Sequence, residues 1–194
     1  MGFISAKNKS AASSGGGGGY LNPSKIPSGG SVRFALLADQ PLEFFECWGE
    51  AEGGAVQPFR FEEDPSPDDI ELAMGSEYTR RLNRDGSAPD KIKFAIAVPV
   101  YNFETGSVQI MQLTQKTLQN ELDDISQMED YSDITEWDFV MGKEGNGIDT
   151  RYSLRPVPRK KGSEQTIAEA WEAAESSGFD ISRILTGGNP FKAE

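Results

Sequence analysis

The chain has 194 residues, with 31 acids against 19 bases, a net charge of −12 and no histidine. Its single cysteine, Cys47, excludes an internal disulfide framework, and without histidine no Cys/His zinc site can be assembled. Hydrophobic residues make up only 37% while glycine numbers 21 and proline 11, which predicts one modest core with plentiful loops.

The N-terminus, Met1-Gly2-Phe3-Ile4-Ser5-Ala6-Lys7, lacks a secretory apolar run. Ala6 stands where a myristoylation signal needs Ser or Thr. No stretch approaches the roughly 20 apolar residues of a membrane span, so a soluble protein without a membrane partner is expected. Residues 1–19 end in five glycines, Gly15 to Gly19, and read as a mobile arm that cannot bury enough apolar surface to offset its ordering entropy.

From Gly30 the pattern turns to strands. Val32, Phe34 and Leu36 alternate with their neighbours, and after Asp39-Gln40-Pro41 comes Leu42 to Trp48, which suggests two antiparallel neighbours. Gly53-Gly54 leads into a short strand over Gln57–Phe61, and Asp64–Ile70 forms a turn or a one-turn helix that Pro starts. The clearest strand is Lys91–Tyr101. Its even-numbered residues Ile92, Phe94, Ile96, Val98 and Val100 face the core, which leaves Lys91, Lys93 and Tyr101 on the opposite face.

Glu104-Thr105-Gly106 predicts a short hairpin into Ser107–Leu113, with Gly106 taking positive φ. Thr114 can cap a helix whose stripe is Leu118, Leu122, Ile125 and Met128. Trp137–Met141 and Ile148–Arg155 form a last strand pair around Gly145-Asn146-Gly147, with Trp137 and Phe139 in the core. Ser163 opens a final amphipathic helix carrying Ile167, Ala170, Trp171 and Ala174. Five to seven strands with an interposed helix predict a mainly β fold, an OB-type Greek-key barrel with an inserted helix and a C-terminal helix; a β-sandwich would leave much the same trace. The expected division is an arm at 1–19, a barrel at 20–162 and an acidic helix and tail at 163–194.

The bases sit in islands. Residues 34–76 carry 11 acids and one base, Arg60, and residues 104–142 carry nine acids and one base, Lys116. Between and after them lie Arg80, Arg81 and Arg84, then Lys91 and Lys93, then six bases within 143–162, including Arg151 and Arg155. A chain this acidic repels polyanions in bulk, so cationic strips beside aromatic residues point to a local groove for one, with single-stranded nucleic acid as the leading ligand. Cations would follow the phosphates and flat rings would stack on bases. Trp48 and Tyr78 are the candidate platforms. Arg60 leaves the core if Phe59 and Phe61 enter it, and three arginines in the Arg80-Arg81-Arg84 loop repel each other unless an anion joins them. For each single cation the alternative is a solvated sheet face; for Trp48 it is a core position; for the three arginines it is pairing with the acids of residues 62–71.

Residues 163–194 hold six acids and two bases and end in Phe191-Lys192-Ala193-Glu194. Such a tail can occupy a basic groove and be released to a partner protein through Phe191 and Glu194, or its helix can simply pack on the barrel. For catalysis the sequence offers no His-based or second-Cys pair and no phosphate-cradling glycine motif, so no enzyme, metal or cofactor is expected. Asp68-Asp69, Asp123-Asp124 and Glu129-Asp130 more often form solvated faces than a Mg²⁺ site.

From about Tyr20 to Phe191 the chain resembles the single-stranded DNA-binding proteins of tailed bacteriophages, including the helix-destabilising type. The resemblance rests on GGSVRFALLADQPLEFFECWGE, on EYTRRLNR before KIKFAIAVPVYNFETGSVQIMQLTQKTLQNELDDI, on RYSLRPVPRKK and on the terminal LTGGNPF. It implies an OB core that covers transient single strands during phage DNA replication or recombination, in the cytoplasm of the infected bacterium and without strong sequence preference. It also implies Arg80, Arg81, Arg84, Lys91, Lys93, Tyr101, Arg151 and Arg155 as DNA contacts, phage replication or recombination proteins as partners of the acidic end, and self-association along DNA. The chain departs from the family in lacking the zinc ligands of some members, and its basic arm is reduced to Lys7-Asn8-Lys9-Ser10. The competing expectations are an acidic protein–protein adaptor or virion component, and a Mg²⁺-dependent nuclease using carboxylates such as Asp123 and Asp124.

Overall fold

A computed structural model describes residues 19–192. The expected arm, apart from Gly19, and Glu194 lie outside the described residues. The protein is mainly β with a mixed sheet. Its strands are β1 (Tyr20–Leu21), β2 (Gly30–Leu36), β3 (Leu42–Ala51), β4 (Val56–Phe61), β5 (Tyr78–Arg80), β6 (Lys93–Asn102), β7 (Ser107–Leu113), β8 (Asp138–Glu144) and β9 (Arg151–Val157). The helices are α1 (Pro67–Met74), α2 (Lys116–Ser126) and α3 (Glu164–Ser176).

The main path runs β1-β7-β6-β2-β8-β9, and β3 joins β6 while also pairing β4 and β5. Only β1 runs parallel to its partner, with Tyr20 opposite Ile110; the other pairings are antiparallel. The two strands expected to be neighbours, β2 and β3, do not pair with each other. Both lie against β6, β2 on Val100–Asn102 and β3 on Lys93–Ala97, because a ten-residue strand is long enough to serve both in succession.

Alternation gives the sheet two faces. On the inner face Phe34, Leu36, Ile96, Val98, Val100, Met111, Leu113, Phe139 and Met141 form the main core with Leu118, Leu122 and Ile125 of α2. Phe34 and Phe139 stack with centroids 5.8 Å apart, and a fully buried side chain of this kind contributes roughly 1.5–3 kcal/mol. The helical stripe ends earlier than expected: Met128 lies beyond α2 and is 49% exposed. Gln115, not Thr114, occupies the N-cap, and its side chain makes no capping bond. Trp137 is half-buried against Tyr131 rather than fully in the core.

The sheet does not close on itself. At β9 the helix α2 stands in for a further strand, as Glu121 Oε2 accepts the Leu154 N–H at 2.8 Å. A backbone donor that strand pairing would have satisfied is thus met by a carboxylate.

The outer face carries the C-terminal segment. Ile167 of α3 packs on Ala35 and Tyr101, and Ile184, in the 3₁₀ stretch Ile181–Thr186, packs on Phe44, Ala95, Ala97 and Ile110. Phe191 meets Tyr20 and Phe179 edge-on, at 6.2 and 5.6 Å between centroids. A fourth cluster joins α1 to the β3–β4–β5 lobe through Cys47, Ile70 and Met74. Of the two alternatives for Asp64–Ile70, the helix started by Pro is the one that forms, and it runs over eight residues from Pro67, capped reciprocally by Ser66 and Asp69. The hairpin glycine behaves as expected: Gly106 has φ 64°. No helix among the described residues is long and apolar enough to cross a membrane.

Candidate nucleic-acid interface

The β3–β6 ladder places Glu46 opposite Lys93, and the β3–β4 ladder places Glu46 opposite Arg60 and Trp48 opposite Pro58. Residues 46, 48, 60 and 93 therefore share the outer face, two strands apart at most. Together with Tyr20 of β1 and Gln112 of β7 they line a groove of about 490 Å³. Trp48 is half-buried, Lys93 exposed, and Tyr20 is 38% exposed. Burial pushes the Tyr20 phenol up, against the opposing pull of the Arg60 charge, which sets the two side chains in each other's field.

Arg60 leaves the core as alternation predicts, but it does not reach solvent as a free cation. Its Nε donates to Glu46 Oε2 at 3.0 Å, its Nη1 to the Ile184 carbonyl at 2.9 Å, and its Nη2 to Gln112 Oε1 at 3.4 Å. Gln112 Nε2 donates to the same Glu46 oxygen at 3.0 Å, and the guanidinium lies 5.6 Å from the Phe44 ring centroid. The groove floor is thus a network held to one oxygen of a carboxylate that is only 4% exposed.

The arginine island splits. Arg80 pairs with Gly49 and so faces the same side as Tyr78, where one guanidinium nitrogen donates to the Asp90 carbonyl. Its charge reaches Cys47, whose thiol is raised chiefly by burial, with Arg80 lowering it and Glu46 adding to the rise. Arg81 instead follows Trp48, to whose carbonyl its N–H donates at 2.8 Å. Arg84 sits in an exposed turn organised by Asn83, whose Oδ1 accepts from Ser87 N at 3.1 Å, and by Asp85, which accepts the same N–H at 2.9 Å. Donation from the Ser87 hydroxyl, and then from the Ser87 N–H, holds the Asp85 carboxyl below its ordinary range.

Two expected aromatic contacts are turned elsewhere. Tyr78 packs against Phe59 at 5.4 Å between centroids, in the cluster under α1, so its ring is committed to packing. Tyr101 does share the face of Lys93, but it is 6% exposed because α3 covers that end of β6. At the other end Lys93 is exposed among the described residues.

Arg151, Ser153 and Arg155 project from β9 opposite Glu144, Gly142 and Val140. Arg155 lies level with Arg33, beside Phe103, ten positions along β6 from Lys93, or about 33 Å of strand. The C-terminal segment runs over the face between them. The candidate cations therefore form two patches, not one channel. The second contains a network that sequence reasoning missed: Asp138, fully buried, pairs with Arg33 at 2.7 Å and Arg159 at 2.9 Å and accepts the Lys160 N–H at 2.9 Å. The Arg33 and Lys160 charges lie over the Phe103 ring, 5.5 and 5.6 Å from its centroid.

The ion pairs among the described residues are Arg33–Asp138, Arg60–Glu46, Arg159–Asp138 and Arg183–Asp180. Arg81, Arg84, Lys91, Lys93, Arg151 and Arg155 have no carboxylate within 4.0 Å among these residues, including the acids of 62–71. Phe191 is half-buried in its contacts with Tyr20 and Phe179, so it is not a free end. Among the described residues no group of three or more Cys, Asp or Glu is placed to hold a metal ion. Tyr20 is the groove residue that sequence reasoning passed over; its signal was an aromatic ring directly after a glycine run. Comparison of the chain with protein-family models, with curated proteins and with solved structures finds no match.

Proposed function

We propose that the protein binds single-stranded DNA, without catalysis, through the outer-face groove, with the two chain-terminal segments packed at its border. One observation carries this reading: Trp48 and Tyr20 line the same groove as Lys93, a cation with no ion-pair partner among the described residues of a chain of net charge −12. Stacking rings beside an unpaired cation are what binding a flexible polyanion with flat bases requires. Arg81, tied to Trp48 through its backbone, and Arg84 three residues on are exposed cations that a bound strand leaving the groove would meet. The OB reading is kept in an open form, a curved sheet whose inner face is filled by α2 and whose gap beyond β9 that helix seals. The phage resemblance supports the narrower setting of replication or recombination in an infected bacterium, with replication or recombination proteins as partners of the acidic C-terminal end.

Fluorescence anisotropy with a short labelled oligonucleotide at two salt concentrations tests this. Steep weakening with salt is expected, since neutralised phosphates release counterions. Binding that ignores salt, or that is equal for duplex and single strand, overturns it. A second reading, the acidic adaptor, draws on a larger cavity of about 780 Å³ lined by Asp39, Glu43, Asp123 and Phe94, itself 40% exposed, and also by Lys93 and Lys116. Charge reversal at Arg81 and Arg84 separates the two, because an adaptor acting through carboxylates keeps its partner.

A further inference from the structure

We infer that the groove reads one base, favouring guanine and disfavouring thymine, and that Glu46 is the residue that does so. The inference rests on the strand-binding reading and sharpens it from indifferent coating to a local preference.

Glu46 is an unusual floor for a site that should attract a polyanion. One of its oxygens, Oε2, is spent on Arg60 and Gln112, each at 3.0 Å. The other oxygen accepts no bond from any described residue, and the side chain lines the groove. The network also fixes the Gln112 amide: its nitrogen is given to Glu46, so its oxygen is the atom that meets Arg60 at 3.4 Å. A rigid floor therefore presents acceptors. Lys93, directly opposite Glu46 in the ladder and not ion-paired to it, presents donors at the rim.

A phosphate is repelled by such a floor, whereas a base edge is sorted by it. A carboxylate oxygen only accepts, so the edge that fits must donate. Guanine offers N1–H and the 2-amino group side by side, with O6 next to them for the Lys93 ammonium, a usual partner of that oxygen. Adenine and cytosine each offer one amino group. Thymine sets O2 and O4 on either side of a single N–H, which brings lone pairs against the carboxylate. Trp48 and Tyr20 flank the floor, so a base stacked on either ring turns its edge inward. A groove of about 490 Å³ falls within the range of about 300–1,000 Å³ typical of small-ligand sites.

The test uses the full chain and three labelled 12-mers: all thymine, thymine with one central dG, and thymine with one central deoxyinosine, which keeps N1–H but lacks the 2-amino group. At low salt the dG strand is expected to bind at least about fivefold more tightly than all-thymine, with deoxyinosine between them. In E46Q the ratio of dG to thymine should shrink towards one, with circular dichroism checking that this variant folds. The deoxyinosine arm needs no variant, so it decides the matter even if E46Q is unstable. Equal affinity for the three strands with a steep salt dependence overturns base reading and leaves strand binding standing. Failure of all three to bind at low salt overturns both.

Discussion

Arg60 donates from Nη1 to the carbonyl of Ile184 at 2.9 Å while its Nε holds Glu46 at 3.0 Å. One guanidinium thus fastens the groove floor to the C-terminal segment. Replacing it with methionine leaves Glu46 buried without a counter-charge, and a loss of about 3–5 kcal/mol in urea unfolding is expected. Replacing both residues with methionine should recover most of that loss, because the stranded charge is then gone. A double-mutant cycle measures the difference.

Asp138 holds two arginines and a backbone amide from a position with no exposure. Asp138→Ala should cost stability on the same scale, about 3–5 kcal/mol, since it strands Arg33 and Arg159 together. Short-oligonucleotide affinity of whatever fraction remains folded should be unchanged, because the groove lies at the far end of β6. Thermal melting followed by anisotropy on the folded protein checks both halves.

Trp48→Ala and Tyr20→Ala should each weaken oligonucleotide binding by about 1–3 kcal/mol, the range for one stacked base. Tyr78→Ala should act instead on stability, since its ring packs on Phe59 under α1. Titrations of the three variants beside their urea midpoints distinguish the two kinds of loss.

The two cationic patches lie about 33 Å apart along the strand direction, with Arg155 three strands further across the sheet, so only a strand longer than the groove reaches both. Lys93→Gln should therefore weaken a 6-mer and a 20-mer alike and reduce the salt slope by about 0.7. Replacing Arg151 and Arg155 together by glutamine should leave the 6-mer unaffected and weaken only the longer strand. Equal effects on both lengths would mean that the patches serve a single site.

Cys47 is 1% exposed and burial raises its thiol above the ordinary range. In the folded state the neutral form is favoured. Its contribution to stability is complete below the unfolded thiol's pKa and is lost as pH rises through the raised folded value. A thiol reagent at neutral pH should accordingly react slowly in buffer and fast in denaturant.

Periodicity made parts of this molecule legible. The even-numbered residues of β6 from Ile96 to Val100 do line the core, and the alternation of Phe59, Arg60 and Phe61 sent the arginine to the outer face. What periodicity cannot say is what lies over a face. Tyr101 and Lys93 share one side of one strand, yet α3 seals the first and leaves the second open. Nor does it choose partners at a distance: β2 and β3 both read as strands, but their shared neighbour β6 is set by tertiary packing. Glu46 looked like one more acid in an anionic stretch. Its burial depends on Arg60 and Gln112, which arrive from two other strands.

The contact between Tyr20 and Phe191 also bears on the glycine tract that precedes it. A Cβ placed on Gly19 would come within 2.3 Å of the Phe191 ring, so even alanine there would push that ring from its seat against Tyr20 and Phe179. The last glycine of the run is accordingly a matter of fit, and a serine exchanged for it should be felt at Phe191, far along the chain.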